Sequence, residues 1–264
     1  MSKASPLQLE VKQVIERMMD GLYREFPEQY PQDAYGYELD DWQQETIRKL
    51  FLGKEGRVSV RASHGTGKSF LSGILTNMFL ELYIPSRIAA TGPTGRQTRS
   101  QYWSYVSQTH DRSVFKDLFV WQKTRMSLKS SPEEAFAIWL ASKNPRTVEG
   151  FHGPDEGRNL LWIVEEAKTV EDAVYESIQG ALTHDNNLWY ISSTCGGSHG
   201  YFYDTHNSKA DSWDRVHVPY YKSSRISEKK IQEWRDMWGE NSSIFRARAL
   251  AEFPDEDDKI ICPL

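Results

Sequence analysis

Cysteine, excess positive charge and long apolar runs are all scarce in this 264-residue sequence. The two cysteines, Cys195 and Cys262, lie far apart and form no metal-ligand spacing, as suits a reducing cytosol. The net charge of -5 argues against a surface that is basic throughout, but it leaves room for a local cationic groove. No apolar run approaches the length of a membrane span, and the N-terminus lacks the layout of a signal peptide. We therefore expect a cytoplasmic globular protein.

The residues that are present favour an α/β fold. Hydrophobic residues make up 39% of the chain and aromatic residues 12%, which is ample for a sizeable core. Four strand-like runs alternate with helical stretches, namely RVSVRA, RIAATG, LLWIVEEA and NLWYISST. This alternation predicts a mainly parallel central sheet flanked by helices. TRMSLKSS and AFAIWLAS are predicted to form a hairpin or to extend the sheet, and WDRVHVPY to add a strand before two helices, SEKKIQEWRDMWG and NSSIFRARAL.

Three regions are predicted along the chain. Residues 1–36 read as an N-terminal helix over 7–25 followed by a Pro- and Tyr-rich loop. Residues 37–253 form the main domain, in which Asp40 would cap a helix that ends near Gly53 and the last helices would serve as a lid. Residues 254–264 read as an acidic linker.

The stretch RASHGTGKSF, residues 61–70, is close to the P-loop pattern of glycine, four residues and then Gly-Lys-Ser. Gly67, Lys68 and Ser69 match the pattern, whereas Ala62 occupies the position of the first glycine. We expect this departure to be tolerated, because the end of the strand needs only a small residue there. A strand before the loop and an apolar helix behind it favour a phosphate-binding loop over a glycine turn that precedes an ordinary helix.

The backbone amides of this loop are predicted to cradle the phosphates of a nucleotide. The predicted nucleotide-binding residues are Ser63, His64, Gly65, Thr66, Gly67, Lys68 and Ser69. Lys68, as a catalytic residue, would bridge the β- and γ-phosphates, and Ser69 would offer its hydroxyl to Mg²⁺. ATP and Mg²⁺ are therefore the expected cofactors.

A pair of glutamates follows the apolar run LLWIV. Glu165 stands where P-loop ATPases usually have an aspartate that acts on the metal, and it adds one methylene of reach. Glu166 is predicted to orient and polarise the attacking water. Taken without the P-loop, two glutamates would indicate only a solvated strand end.

Two weaker signals accompany these motifs. Gln43 has an amide that can pair with the adenine edge, although an exposed polar position on a helix is the alternative. Ser193 and Thr194 follow an apolar run and could sense hydrolysis at the γ-phosphate, although strand ends also carry such residues for capping.

The order of these motifs resembles the N-terminal ATPase domain of the large subunit of viral genome-packaging terminases. The similarity runs from about Tyr37 to the end of the chain and rests on WQ at 42–43, SHGTGKS, ATGPTGRQ, EGFHG, WIVEEA, SSTCGG before GYFYD, and FRARALAEFP. In that family, the matching positions form the hydrolysis and coupling site, which here comprises Lys68, Ser69, Glu165, Glu166, Ser193 and Thr194.

The resemblance also implies how such a domain is used. It implies a ring of subunits on the portal protein of a procapsid, fed by a small terminase subunit and moving double-stranded DNA. It places the protein in the host cytoplasm and transiently at the portal vertex. A lid after Thr194, flexible at Gly196, Gly197 and Gly200, would convert hydrolysis into motion.

An arginine that reaches the γ-phosphate is also expected. Some terminases carry one within the P-loop, but here His64 occupies that position, which disfavours this solution. Arg146 is the predicted finger for a neighbouring subunit, with Arg158 and Arg96 as alternatives.

Large terminases also have a nuclease domain, which we expect to be absent here. The acidic residues Asp255, Glu256, Asp257 and Asp258 are predicted to belong to a solvated linker, so no DNA cleavage is expected. Two segments combine basic and aromatic residues: one contains Trp121, Lys123, Arg125 and Lys129, and the other spans 143–158. Either segment could follow a DNA backbone or form a plain solvated face.

These observations predict a P-loop NTPase of the ASCE or RecA-like type that acts as the motor domain of a terminase. Two other functions stay open. A superfamily 2 helicase-like translocase would need a second RecA-like lobe, for which the residues after Phe202 offer no second P-loop. A nucleotide-gated assembly module with little turnover is kept open by Ala62 and Glu165.

Overall fold

The computed structural model describes residues 13–18, 20–93, 96–140, 148, 150–153 and 159–254. These residues form one eight-stranded sheet in the order β3-β4-β5-β2-β6-β7-β1-β8. The strands are β1 (Arg57–Ala62), β2 (Ser86–Thr91), β3 (Phe119–Gln122), β4 (Arg125–Leu128), β5 (Phe136–Trp139), β6 (Asn159–Glu165), β7 (Asn187–Ser193) and β8 (Asp214–Val218). β4 is antiparallel to β3 and to β5, and all the other strand pairs of this sheet are parallel, which confirms the mainly parallel sheet.

Helices cover the sheet on both faces. They are α1 (13–18), α2 (Leu22–Glu25), α3 (Tyr30–Tyr35), α4 (Asp41–Leu52), α5 (Lys68–Leu82), α6 (Arg96–Arg112), α7 (Asp172–Ala181), α8 (Tyr201–Asp204), α9 (Glu228–Trp238) and α10 (Ser243–Arg248). The predicted hairpin of β4 with β5, the additional strand β8 and the two last helices are all confirmed. The short strand β3 at the sheet edge was not predicted.

The N-terminal prediction is wrong in two respects. The single helix predicted over residues 7–25 is interrupted at Gly21, whose left-handed conformation (φ 74°) cannot continue a right-handed helix. The predicted loop that follows contains α3, whose residues Tyr30 and Tyr35 are buried. These tyrosines pack into the same core as β1 and α5, so the described N-terminal segment is part of the main body.

Helix α5, which begins in the P-loop, is the central helix of one face. Every residue from Phe70 to Glu81 is buried, which explains why apolar residues occur on all sides of this helix. It packs mainly against α6 and the sheet. A second apolar cluster on the opposite face joins α7 and α8 to the sheet through Tyr175, Trp189 and Phe202.

One acidic residue is buried within the α5 core. Glu81 accepts hydrogen bonds from the hydroxyls of Tyr30, Tyr35 and Ser113, each at 2.7 Å. Burial raises the pKa of Glu81 to about 7, although these three hydrogen bonds oppose the shift. The carboxyl group therefore joins α3, α5 and the end of α6 through polar contacts inside an apolar core.

The strand order brings the predicted motifs together. Strand β7 lies between β1 and β6, and all three strands run parallel. Their carboxyl ends carry the P-loop, Ser193 and Glu165, so these groups share one edge of the sheet. Clefts at such edges are the usual ligand sites of parallel α/β folds.

Candidate nucleotide site

The P-loop has the backbone conformation that its sequence predicts. Gly65 and Gly67 adopt left-handed angles (φ 76° and 95°), which residues with a Cβ rarely adopt, and α5 begins directly at Lys68. Ala62 is fully buried at the end of β1, where a small side chain fits. The loop therefore points the first amides of α5 toward the cleft, as a phosphate-binding site requires.

Lys68 is buried and held within the loop. Its ammonium donates to the carbonyl oxygen of Ser63 at 3.0 Å, and the hydroxyl of Thr66 donates to the same oxygen at 3.0 Å. Burial lowers the pKa of Lys68, while the carboxylates of Glu166 and Glu165 raise it. The ammonium is thus positioned in the cleft by a carbonyl group that a phosphate oxygen can replace.

Glu165 lies at the end of β6 and faces α5. Its carboxylate accepts a hydrogen bond from Ser69 at 2.5 Å and another from Ser72, one turn further along the helix. Burial raises the pKa of Glu165, opposed by these two hydrogen bonds. The prediction that Ser69 and Glu165 act together therefore has the required geometry. Ser72 was missed, although its position three residues after Ser69 places both hydroxyls on one helix face.

Glu166 has a strained backbone. It adopts the left-handed conformation (φ 48°, ψ 46°), which costs a residue with a side chain about 1–3 kcal/mol. It is partly exposed, whereas the preceding residues Leu160–Glu165 are buried. Its carbonyl oxygen accepts from the amide and the hydroxyl of Thr169, at 3.0 and 2.9 Å. The bend turns Glu166 away from the strand direction that buries Glu165.

The donor groups at this edge fit a magnesium ion that is held jointly with phosphates. Mg²⁺ in such sites is bound by one or two protein oxygens together with phosphate oxygens and water. The Ser69 hydroxyl and the Glu165 carboxylate are in contact and supply such oxygens. No cluster of three or more His, Cys, Asp or Glu residues that could hold a metal alone occurs in the described ranges.

The end of β7 shows two different hydroxyl environments. Ser193 is fully buried, and its Oγ has no hydrogen-bond partner in the described part of the chain. The hydroxyl of Thr194 accepts a hydrogen bond of 2.7 Å from the ammonium of Lys168, which lies two residues after Glu166. No sequence motif marks Lys168, because its partner lies on another strand.

Gln43 is buried rather than exposed. Its side-chain oxygen accepts from the backbone amide of Asp40 at 3.1 Å and so completes a capping box at the start of α4, which confirms the capping role of Asp40. The nitrogen of the Gln43 amide is buried and has no partner among the described residues. The two N–H groups of this amide are therefore available to a ligand.

A segment between β8 and α9 connects α4 to the P-loop. The hydroxyl of Ser223 donates to the carboxylate of Asp40 at 3.1 Å and to the carbonyl of Thr66 at 3.4 Å. The amide of Ser224 also donates to Asp40, at 3.2 Å. The predicted base-binding and phosphate-binding residues are therefore linked through one short segment.

Arg225 extends from this segment across the P-loop. A Cβ atom on Gly67 would lie 2.9 Å from its Nε, and its guanidinium lies 4.2 Å from the centre of the Phe70 ring. It is exposed, and it has no acidic partner among the residues that the structure describes. Sequence reasoning missed this cation, because the segment has no recognisable motif.

The P-loop is also anchored to the C-terminal helices. The amide of His64 and the hydroxyl of Ser63 both donate to the carbonyl oxygen of Arg248, each at 2.9 Å. The amide of Ser63 donates to Val218 at the end of β8. The exposed His64 therefore contributes to the loop through its backbone.

Several predicted residues lie outside the described part of the chain. These are Arg146, Arg158, Cys262 and the acidic residues 255–258, and the side chain of Arg96 is not described either. In the predicted basic segment, Arg125 packs over the Phe136 ring at 4.1 Å and Lys129 donates to the carbonyl of Asp117 at 2.6 Å. Among the described residues, no helix is long and apolar enough to cross a membrane.

A glycine-bearing loop between a buried strand and a helix, opposed by a carboxylate from the next strand but one, defines the P-loop NTPase fold. Comparison with known proteins narrows this class. A curated relative from Enterobacteria phage P7, described as a probable terminase large subunit, is 24% identical over 231 residues, which cover 82% of this chain and 46% of the relative. No family model matches the chain.

Solved structures give the same result for the fold. The large terminase of bacteriophage HK97 superimposes with a TM-score of 0.64 at 17% identity, over 82% of this chain and 51% of that one. The ATPase domain of the Thermus phage P74-26 large terminase superimposes with a TM-score of 0.59 at 17% identity, over 83% and 96%. A third large terminase, from a thermophilic bacteriophage and solved with ADP, superimposes with a TM-score of 0.64 at 9% identity, over 82% and 54%.

The chain spans about half the length of the curated relative and of the HK97 protein. The isolated P74-26 ATPase domain, by contrast, is covered almost completely, so the fold of this chain corresponds to that domain. The predicted resemblance to large terminase subunits, through their ATPase domain, is confirmed.

Proposed function

We propose that this chain hydrolyses ATP and uses the energy to move double-stranded DNA into a procapsid, as the motor domain of a large terminase subunit. The observation that carries the proposal is the convergence of Lys68, Ser69, Glu165 and Glu166 at the carboxyl ends of β1 and β6. The large terminase of the thermophilic bacteriophage, whose fold is similar, has been solved with ADP and with ATP-γ-S.

The residues of the site have different roles in nucleotide binding and hydrolysis. Lys68 exchanges the carbonyl of Ser63 for phosphate oxygens, and the P-loop amides surround the same phosphates. Ser69 and Glu165 would hold Mg²⁺, which when bound would supply positive charge to offset the charge that develops on the phosphates. Glu166, which the bend of the chain leaves partly exposed, orients the attacking water and accepts its proton.

The structure restricts how the Gln43 side chain can contact the nucleotide base. The side-chain oxygen of Gln43 already accepts from the backbone amide of Asp40, so we propose that the unpartnered N–H groups of Gln43 bind an acceptor on the adenine edge. Ser193, with its unpaired buried hydroxyl, and Thr194 are proposed to respond to the γ-phosphate.

The partners are also proposals. They are double-stranded DNA, a portal protein, a small terminase subunit and further copies of this chain in a ring, which would place the protein in the host cytoplasm and transiently at the portal vertex. Arg146 is proposed to complete the site of a neighbouring copy. The similarity of the chain to large terminase subunits supports these partners.

The proposal is tested by measuring magnesium-dependent ATP turnover per chain over a range of protein concentrations. Wild type is compared with Glu166→Gln and with Glu176→Gln, a matched control on the exposed face of α7. We expect turnover in wild type and in the control, and a loss of at least about 100-fold in Glu166→Gln. Nucleotide binding without any turnover would instead support an assembly module and would refute the motor.

The concentration series addresses Arg146. Turnover per chain that rises with concentration and is lost in Arg146→Ala supports a site completed by a neighbouring copy. Turnover that is independent of concentration and unchanged in Arg146→Ala would refute that role while leaving the ATPase proposal intact.

A further inference from the structure

Lys168 connects two neighbouring strand ends of the nucleotide site. It lies in the 3-10 turn Ala167–Thr169 that follows Glu166, and its ammonium reaches across to the end of β7. There it donates to the hydroxyl of Thr194 at 2.7 Å and to the carbonyl of Cys195 at 3.3 Å. In register, Glu165 pairs with Ser192, so the contact forms just beyond the last paired residues of the two strands.

Gly196 leaves room for the side chain of Lys168. A Cβ atom on Gly196 would lie 3.0 Å from Cδ of Lys168, so the aliphatic part of the side chain passes directly over this glycine. Lys168 is exposed, whereas Thr194 is fully buried. The lysine can therefore move away from the protein, but the hydroxyl that it leaves would lose its hydrogen bond in a buried position, which is unfavourable.

The ammonium of Lys168 lies at the ends of β6 and β7, on the edge of the sheet that also carries the P-loop. Among the described residues, no carboxylate forms an ion pair with it. Burial is the main cause that lowers the pKa of Lys68, and the positive charge of Lys168 also lowers it. The two cations therefore repel each other, and a bound triphosphate would bring several negative charges to the same edge of the sheet.

The segment behind Thr194 is connected to the C-terminal helices. Cys195 packs against Ala247 and Ala251, which lie in and after α10. The hydroxyl of Ser198 donates to the carbonyl of Pro254. A displacement of Thr194 and Cys195 would thus change contacts with α10 and with the chain that follows it.

We propose that Lys168 is a positioning residue that couples the γ-phosphate of a bound nucleoside triphosphate to residues 194–200. Without a γ-phosphate, the ammonium holds Thr194 and Cys195. A γ-phosphate attracts the ammonium, the hydrogen bond to Thr194 breaks, and residues 194–200 rearrange against α10. A diphosphate leaves the contact closed. The inference rests on the proposed function, because it requires that the P-loop binds a triphosphate.

The test compares the amide hydrogen exchange of residues 194–200 in the presence of ADP and of ATP-γ-S, both with Mg²⁺. In wild type we expect the two nucleotides to give exchange rates that differ several-fold in this segment. In Lys168→Met, which keeps the aliphatic stem but has no charge, we expect the difference to vanish. ATP-γ-S affinity should change by less than about threefold, while kcat falls at least about tenfold with little change in KM.

Two further variants separate coupling from a purely structural role. Thr194→Val removes the same hydrogen bond from the other side, and its effect on kcat should not add to that of Lys168→Met. Lys168→Arg retains the charge and a donor, so it should restore part of the exchange difference. Lys54→Met is the matched control, because Lys54 is also an exposed lysine, but it precedes β1 and so lies at the opposite end of that strand from the P-loop.

The outcomes are distinct. If wild type binds both nucleotides and Lys168→Met keeps the wild-type exchange difference and kcat, Lys168 has no coupling role. A large rise in KM with unchanged kcat would make it a binding residue and would also overturn the proposal. If wild type binds neither nucleotide, the proposed function itself fails, and the coupling role of Lys168 fails with it.

Discussion

The buried carboxyl group of Glu81 should make the stability of this protein fall as pH rises. Burial raises its pKa from 4.5 to about 7, so between these values the folded chain retains a proton that the unfolded chain has lost. The stabilising contribution is therefore fully present below about pH 4.5 and is lost as pH rises through about 7. At about 1.4 kcal/mol for each pH unit, the interval corresponds to about 3 kcal/mol.

This prediction is tested by urea unfolding, followed by tryptophan fluorescence, from about pH 5 to about pH 8. Glu81→Gln has nearly the same shape as the protonated acid and does not titrate. We expect the two proteins to have similar free energies of unfolding at the low end and the variant to be more stable by up to about 3 kcal/mol at the high end. Glu176→Gln, on the exposed face of α7, should follow wild type throughout.

Parallel stability profiles for wild type and Glu81→Gln would refute the reasoning. They would show that the hydroxyls of Tyr30, Tyr35 and Ser113 stabilise the ionised carboxylate well enough to offset its burial. A variant that is less stable at every pH would show that the amide cannot satisfy the three hydroxyl groups.

Three further predictions test the local geometry. Glu166→Gly should abolish ATP turnover but leave the melting temperature unchanged or slightly higher. Glycine relieves the strain of the left-handed conformation at residue 166, and this offsets the greater backbone entropy that glycine gives the unfolded chain. A marked loss of stability would contradict this prediction. Gly67→Ala should lower the free energy of unfolding in urea by about 1–2 kcal/mol and weaken nucleotide binding, because residue 67 has a left-handed conformation and the new Cβ meets Arg225. Gly180→Ala is the control: it adds a methyl group in open space on α7 and should raise the free energy of unfolding by about 0.5–1 kcal/mol. Arg225→Ala should raise the Kd for ATP-γ-S several-fold and Arg225→Lys less, while equal affinities in a binding titration would show that Arg225 does not contact the nucleotide.

Local sequence patterns were sufficient to predict most of the elements. The β-branched run before Ala62 and the apolar residues before Glu165 indicate buried strands, and the P-loop glycines indicate the conformations that Gly65 and Gly67 adopt. The capping of α4 by Asp40 was predictable for the same reason, since the interaction spans only three residues.

Contacts between distant segments could not be predicted in this way. Arg225 reaches the P-loop from beyond β8, and Lys168 reaches Thr194 across two strand ends, so neither has a motif. Glu81 does carry a signal in the sequence, because an acid in an otherwise apolar helix requires buried donors. Those donors include Tyr30 and Tyr35 of the unpredicted helix α3.

A single carbonyl group, that of Arg248, receives hydrogen bonds from both Ser63 and His64. The start of the P-loop and the end of α10 are therefore directly hydrogen-bonded and are expected to move together. A pull on the chain beyond Pro254 would load these two hydrogen bonds together and would change the position of the loop that supports Lys68. Force applied to the chain beyond Pro254 would then alter the affinity of the P-loop for nucleotide, and under the proposed function such a load would slow ATP turnover directly.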